Sequence, residues 1–292
     1  MLGQRPTSEA FVLNLLGSDA TKMAGISLSK TLYHFPLTVL LNGPVGAGKT
    51  TFLQGFFEGL GIREHVTSPT YALEQRYRTP SNIEVLHSDL YRLSQNDAAA
   101  LLMSSQDHTG IRCIEWAENA GTHMHLDASI TLNFSEHGDG RMVKAVFSDI
   151  PLPSSEQIEA WRQEVGLPQH IIAHCNAVAD FTGRLAEYLL QQGTFVRRSA
   201  LECAAKLHDL LRFVDFKAGA GPSGSADDPR WKHWQKIYAG KRHEAACTEF
   251  LEERRFPAIA KIVSSHGLRL PPSNDATIEQ AAASALQTDL AK

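Results

Sequence analysis

The chain has 292 residues, 43% of them hydrophobic, with 28 Lys and Arg against 32 Asp and Glu for a formal net charge of -4. That length fits two ordinary domains better than one, and the faintly acidic balance, without a polybasic tail, argues against wholesale wrapping of nucleic acid. No apolar run approaches a membrane span, the polar Gln4–Glu9 segment does not read as a signal peptide, and a cytoplasmic chain with no membrane partner is expected.

In chain order, Phe11–Leu16 reads as a short strand, and Ser18 or Asp19 as the cap of a helix reaching about Leu32, with Met23 and Ile26 on its buried side. The apolar run Val39-Leu40-Leu41 then leads into Gly43-Pro44-Val45-Gly46-Ala47-Gly48-Lys49-Thr50, the phosphate-loop pattern G-x-x-x-x-G-K-[ST]. Phe52, Leu53, Phe56, Phe57 and Leu60 recur behind it at helical spacing. Strand, glycine loop and helix thus occur in the order in which backbone N–H groups and a helix N-terminus cradle phosphate oxygens. The nucleotide-binding candidates are Gly43, Gly46, Ala47, Gly48, Lys49, Thr50 and Thr51, with Lys49 reaching the β/γ-phosphates and Thr50 ligating Mg2+.

Val66–Tyr71 is a short polar segment that reads equally as a plain turn or as a switch near the γ-phosphate. Ile83–His87 is a strand ending beside Asp89, and Ile111–Ile114 a strand ending at Glu115. Carboxylates at strand ends beside a phosphate loop suit metal binding and orientation of attacking water. Asp97–Met103 reads as a helix, and Ala128–Phe134 and Arg141–Phe147 as a hairpin turning at Asp139-Gly140. His123 and His125 have no third ligand nearby and read as surface histidines, and the four scattered cysteines as buried free thiols.

The stretches Gly43–Thr51, Thr67-Ser68-Pro69-Thr70-Tyr71, Ser88-Asp89-Leu90-Tyr91-Arg92-Leu93 and Ile114-Glu115-Trp116 occur together, in the order found in the TsaE family, and over roughly 10–148 this half resembles that family. The resemblance implies an α/β P-loop NTPase-like domain with a central sheet, acting as the accessory ATPase of tRNA threonylcarbamoyladenosine (t6A37) synthesis. It implies ATP and Mg2+ as cofactors, Lys49, Asp89 and Glu115 as catalytic groups, Thr50, Asp89 and Glu115 as the magnesium network, and Thr67 with Ser68-Pro69-Thr70 as the switch. Tyr91, Arg92 and Trp116 would be structural or partner-facing. Partners would be threonylcarbamoyl-transferase subunits of the TsaD/TsaB type, with tRNA engaged through that complex. Pro44 and the longer segment after Leu93 depart from the family pattern, on the side of the partner surface rather than of ATP binding.

Asp149–Ser155, with Pro151 and Pro153, reads as a linker, which divides the chain into 1–148, a linker over 149–160 and a second domain over 161–292. Beyond it the pattern is helical: His170–Leu190, with Val178, Phe181, Leu185 and Leu189 aligned, then Ser199–Leu211, Trp231–Tyr238, His243–Ser264 and Thr277–Leu290. His174, the pair His208-Asp209, His243, His266 and Asp289 are spread over these helices. Imidazole and carboxylate suit a divalent transition metal that activates water for attack on a phosphoester. The stretches His174–Ala179, Ala204–Asp209, Ser265-His266-Gly267 and Thr288-Asp289 resemble the all-α HD-domain metal-dependent phosphohydrolases.

That resemblance implies His174, His208, Asp209 and Asp289 as core ligands of Mn2+, Fe, Co2+, Ni2+ or Zn2+, Asp209 also as a catalytic group, and His243 and His266 as ligands of a second ion. The substrate would be a small phosphorylated molecule. Lys206, Lys217 and Arg212 are phosphate-binding candidates, and His170 and Glu244 alternates for the ligand set. Two other functions fit the same residues: a small-molecule P-loop kinase, which needs an acceptor pocket and a basic lid, and a nucleotide-gated interaction module whose HD half is catalytically weak.

Overall fold

A computed structural model of the chain describes residues 8–121, 126, 128–216 and 228–266. It divides into two units, one reaching to Ile150 and including Tyr188–Val196, the other formed by Pro151–Glu187 and the chain from Arg197 onward. The first is a mixed α/β sheet domain, and the second is all-helical among the described residues.

The sheet of the first unit has seven strands in the order β1-β7-β6-β2-β5-β4-β3. These are β1 (Glu9–Leu15), β2 (Leu37–Asn42), β3 (Glu74–Arg78), β4 (Glu84–Asp89), β5 (Ile111–Glu115), β6 (Ser129–His137) and β7 (Gly140–Ser148). The central four, β6, β2, β5 and β4, run parallel. β2 reads as a nearly continuous apolar run because it lies at the middle of the sheet. β3 is antiparallel at the edge, and its Glu-Gln-Arg-Tyr-Arg composition gives no strand signal. The turn between β6 and β7 is Gly138-Asp139, one residue earlier than Asp139-Gly140, with Gly138 at φ 55°.

Helix α1 (Gly17–Ser29) and helix α2 (Lys49–Gly59) pack together. Neither Ser18 nor Asp19 caps α1, which starts after Leu16 without a side-chain cap. Met23 is 61% exposed rather than buried, because the contact is made by a different stripe, Thr21, Ala24, Gly25 and Leu28. A β-carbon on Gly25 would lie 2.1 Å from the Phe52 carbonyl oxygen, so the glycine that weakens the helical pattern is the point where the two backbones meet. The remaining helix is α3 (Gln95–Ser104), capped by Ser94, whose side chain accepts from the Asp97 N–H.

Phe195 completes this unit's core. It is fully buried, its ring meets Phe52 and Phe147 edge-on at 6.0 Å each, and its N–H donates to Ser27 Oγ at 2.9 Å.

The second unit contains α4 (Ser155–Val165), α5 (Gln169–Gln191, whose last residues belong to the first unit), α6 (Arg198–Leu207), α7 (Pro229–Ile237), α8 (His243–Glu253) and α9 (Pro257–Ser264). The expected linker 149–160 is therefore extended only as far as Ser154. There a capping box, Ser154 with Gln157, starts α4. Buried Arg162 on α4 donates to Asn176 Oδ1 (2.9 Å) and to the Lys206 carbonyl (3.1 Å), tying α4 to α5 and α6.

The inward face of α5 is Val178, Ala179, Thr182 and Ala186 rather than the row through Phe181, which is 48% exposed. The helix expected over Ser199–Leu211 ends at Leu207, and that expected over His243–Ser264 is broken before Pro257, which takes the first helical position of α9. The helix expected over Thr277–Leu290, and His123 and His125, lie outside the described residues. All four cysteines are free; Cys203 is half-buried and the other three buried. No helix among the described residues is long and apolar enough to cross a membrane.

Candidate functional site

The phosphate loop follows β2 directly, and the ends of β4 and β5 lie beside it in register, Leu41 opposite Glu115 and Glu115 opposite Asp89. Three parallel strands thus deliver their C-terminal residues to one edge, where open α/β sheets take ligands. A cavity of about 300 Å³ there is lined by Gly46, Gly48, Lys49, Thr50, Thr51, Ser68, Thr70, Asp89, Glu115 and Trp116, among others. Gly48 caps α2 at φ 97°, a backbone state that favours glycine, and the first residues of α2, whose N–H groups have no partner within the helix, line the cavity.

Lys49 Nζ donates to the carbonyls of Gly43 (2.6 Å) and Pro44 (2.9 Å) and lies 3.8 Å from the Trp116 ring centroid. Burial pushes its pKa down, against the opposing pull of the Glu115, Glu118 and Asp89 carboxylates. Thr50 Oγ1 donates to the Glu115 carboxylate, 3.0 and 2.9 Å from its two oxygens. Asp89, 2% exposed, accepts from Ser68 Oγ (2.5 Å) and Thr70 Oγ1 (2.6 Å) on Oδ2, and from the Tyr91 N–H (2.9 Å) on Oδ1. A hydroxyl and two carboxylates are hard oxygen donors of the kind Mg2+ prefers.

Of the nucleotide candidates, Gly43, Ala47 and Thr67 do not line the cavity. Ala47 is buried, Thr67 is exposed, and the Gly43 N–H donates to Glu118 Oε1 (3.1 Å). From the same segment, Ser68 and Thr70 supply the two hydroxyls that reach Asp89. His87, which sequence reasoning passed over, is fully buried behind Glu115, with Nε2 2.9 Å from Oε1. A polar residue inside a strand buried on both sides was its signal.

The second centre lies in the helical unit. His174 on α5, His208 and Asp209 in the turn after α6, His243 at the start of α8 and His266 after α9 come together. Ligand atoms of His174, His208 and Asp209 fall within 4.8 Å of one another, as do those of Asp209, His243 and His266. Asp209 is shared: its carboxylate is 3.2 Å from His243 Nε2, 3.7 Å from His208 Nε2 and 4.0 Å from His174 Nε2.

The rings are oriented from behind. His208 Nδ1 donates to the Ala205 carbonyl (2.7 Å), His266 Nδ1 to the Val263 carbonyl (2.5 Å) and His243 Nδ1 to Asp215 Oδ2 (2.6 Å). The Nε2 atoms of His208 and His243 are thereby turned toward Asp209, and that of His266 toward His243, as in metal sites whose histidines donate their other N–H to an oxygen. Two of them, on His243 and His266, lie only 3.1 Å apart.

Burial pushes His266 down to about 4 and His208 below its ordinary value, which keeps both neutral at pH 7, the form in which imidazole binds a metal. Burial also pushes His243 down, but its hydrogen bonds with Asp209 and Asp215 outweigh it and raise the pKa. Burial raises Asp209, yet the hydrogen bond from His243 and the nearby His208, His243 and Arg212 hold it well below the usual carboxylate range. Nitrogen with carboxylate oxygen is a donor set for a first-row transition ion.

Asp289, the remaining expected ligand, and Lys217 lie outside the described residues. His170 is exposed and outside the cluster, whereas Glu244 Oε2 stands 3.3 Å from His243 Nδ1. Arg212 Nη1 lies 2.9 Å from His243 Nδ1, at the rim of the centre. Asp215 was not foreseen: it sits in a 3-10 turn after His208-Asp209 and meets His243 only through the fold.

A family model described as Threonylcarbamoyl adenosine biosynthesis protein TsaE matches residues 16–143. A protein of Nostoc sp. named tRNA threonylcarbamoyladenosine biosynthesis protein TsaE is 34% identical over 129 residues, covering 42% of this chain and 78% of that protein. Proteins of the same name are 34% identical in Haemophilus influenzae (38% of this chain, 70% of that one) and 35% identical in Borreliella burgdorferi (41% and 90%). The crystal structure of Bacillus subtilus YdiB aligns with a TM-score of 0.39 and 23% identity over 49% of this chain and 88% of that one. Through its first unit, which spans more than two thirds of these relatives' length at over 30% identity, the chain belongs to the TsaE family.

Proposed function

We propose that the first unit binds and hydrolyses Mg-ATP in support of t6A37 modification of tRNA, and that the second is a metal-dependent phosphohydrolase of the HD type. For the first unit, the observation that supports the reading is the grouping of Lys49, Thr50, Asp89 and Glu115 around one cavity at the α2 N-terminus. Backbone N–H groups and Lys49 would hold the triphosphate, Thr50 and the two carboxylates would hold Mg2+, and a Glu115 oxygen not engaged by the ion would orient water in line with the γ-phosphate. When bound, the ion would neutralise charge developing on the phosphoryl oxygens.

The relatives are named for tRNA threonylcarbamoyladenosine biosynthesis, which supports a reading in which TsaD/TsaB-type subunits would be the partners and tRNA the indirect substrate. For the second unit, the supporting observation is the convergence of three pinned histidines on Asp209. A divalent ion held there would supply an activated water, and Arg212 at the rim would receive the phosphate of a small phosphorylated substrate, a nucleotide among the candidates.

The test is calorimetry with a non-hydrolysable ATP analogue, together with metal analysis of the purified chain. Magnesium-dependent binding lost in Lys49→Ala, and bound metal lost in Asp209→Ala, are the expected results. Analogue binding that ignores Lys49, or metal content that ignores Asp209, would refute the respective half.

A further inference from the structure

We infer that His87 is a positioning residue for the phosphate-loop site, holding the Glu115 carboxylate in the orientation that the magnesium and water network requires; the inference rests on the Mg-ATP reading above. His87 lies on β4 one strand away from Glu115 on β5, and the parallel register that pairs Asp89 with Glu115 puts His87 opposite Cys113, two residues below the carboxylate. The imidazole is fully buried, with the Phe57 ring edge-on at 5.7 Å. Among the described residues its one hydrogen bond is Nε2 to Glu115 Oε1 at 2.9 Å, and its buried Nδ1 has no partner.

The tautomer follows. An ionised carboxylate only accepts, so the proton sits on Nε2 and donates to Oε1. A residue that only filled this space would be apolar and leave nothing unpaired. Among the described residues the imidazole instead carries an unsatisfied nitrogen in the core, and the single polar contact it makes is with Glu115.

The geometry of that contact shows what it does. Glu115 is 2% exposed and is held from the loop side by Thr50 Oγ1, about equidistant from both oxygens, and from below by His87 on Oε1 alone. The terminal torsion of a glutamate is broad and roughly two-fold, so Thr50 by itself does not distinguish the two oxygens. His87 does: it occupies one lone-pair direction of Oε1 and so makes the two oxygens inequivalent to the ion and the water. Removing such an outer partner costs about 10–100-fold in metal affinity or activity.

The experiment compares His87→Gln, whose amide nitrogen falls near the Nε2 position, with His87→Asn, which has the same amide on a shorter stem, in the full chain. Affinity for a non-hydrolysable ATP analogue is measured with and without Mg2+, and ATP turnover is measured against Mg2+ concentration. Expected: all three proteins bind the metal-free analogue alike, His87→Gln keeps wild-type magnesium dependence, and His87→Asn needs about 10–100-fold more Mg2+ for the same binding and turnover. Equal magnesium dependence of Gln and Asn variants, whether both intact or both impaired, would overturn the inference. Because both substitutions are polar and no larger than the imidazole, a fold too damaged to bind metal-free analogue in both would count equally against a role specific to Glu115. A wild-type chain without magnesium-dependent binding would refute the site reading itself, and the inference with it.

Discussion

Replacing Phe195 by alanine should loosen the ATPase-like unit, although the residue lies some fifty positions beyond the stretch that matches the family. The ring is fully buried between Phe52 on α2 and Phe147 on β7. Truncation of a buried Phe costs about 3–5 kcal/mol. Area bookkeeping agrees: an aromatic side chain burying roughly 150 Å² at about 25 cal/mol per Å² contributes about 4 kcal/mol. Against a typical domain stability of about 5–15 kcal/mol that is a large share.

A single unfolding free energy is poorly defined for a chain of two units, so the assay is hydrogen exchange read by mass spectrometry, peptide by peptide. Peptides from β2, α2 and β7 should lose up to about 10³ in protection, since each 1.4 kcal/mol is a factor of ten, while those from α8 and α9 should keep theirs. Unchanged protection in the sheet, or equal loss in both units, would refute the assignment of Phe195 to the first unit's core.

Asp215→Asn should weaken metal binding at the helical centre about 10–100-fold, because Asp215 orients His243 from behind. A chelator-competition titration giving wild-type affinity would remove that role. Gly25→Leu should lower stability by about 1–3 kcal/mol or more by forcing α1 off the Phe52 carbonyl, and an unchanged thermal transition of the first unit would contradict the close crossing. Ser68→Ala with Thr70→Val should free the Asp89 carboxylate of two hydroxyl donors and raise the Mg2+ needed for analogue binding, whereas Thr67→Val, exposed and off the cavity, should not. A larger effect at Thr67 would reverse that assignment.

The phosphate loop was legible because all its chemistry is contiguous: glycines, Lys49 and Thr50 sit between a strand and a helix whose patterns are strong. Asp89 and Glu115 were legible as acidic residues at strand ends. What the loop leans on was not. The pairing of His87 with Glu115 spans 28 residues and depends on strand register, and that of Asp215 with His243 likewise spans 28 and depends on how a turn packs on α8. Thr67 and Ser68 both carry a hydroxyl, and which of the two reaches Asp89 depends on the direction of the backbone, which composition does not encode.

The same limit explains Phe181 and Met23, placed on buried faces by spacing but turned outward when Ala and Gly proved to make the helix contacts. The histidines were visible as a series, but their convergence on Asp209 was a property of the fold. Phe195 shows a further limit, since a segment beyond the apparent boundary supplies core to the domain before it.

The central claim is that the chain holds two separate centres, one built on Lys49 and one on Asp209. Phosphate release, measured on ATP and on a panel of phosphomonoesters for the wild-type chain, Lys49→Ala and Asp209→Ala, tests it most directly. Lys49→Ala should lose magnesium-dependent ATP turnover and keep the metal-dependent phosphatase, and Asp209→Ala should do the reverse. Loss of both activities in either folded variant would contradict it.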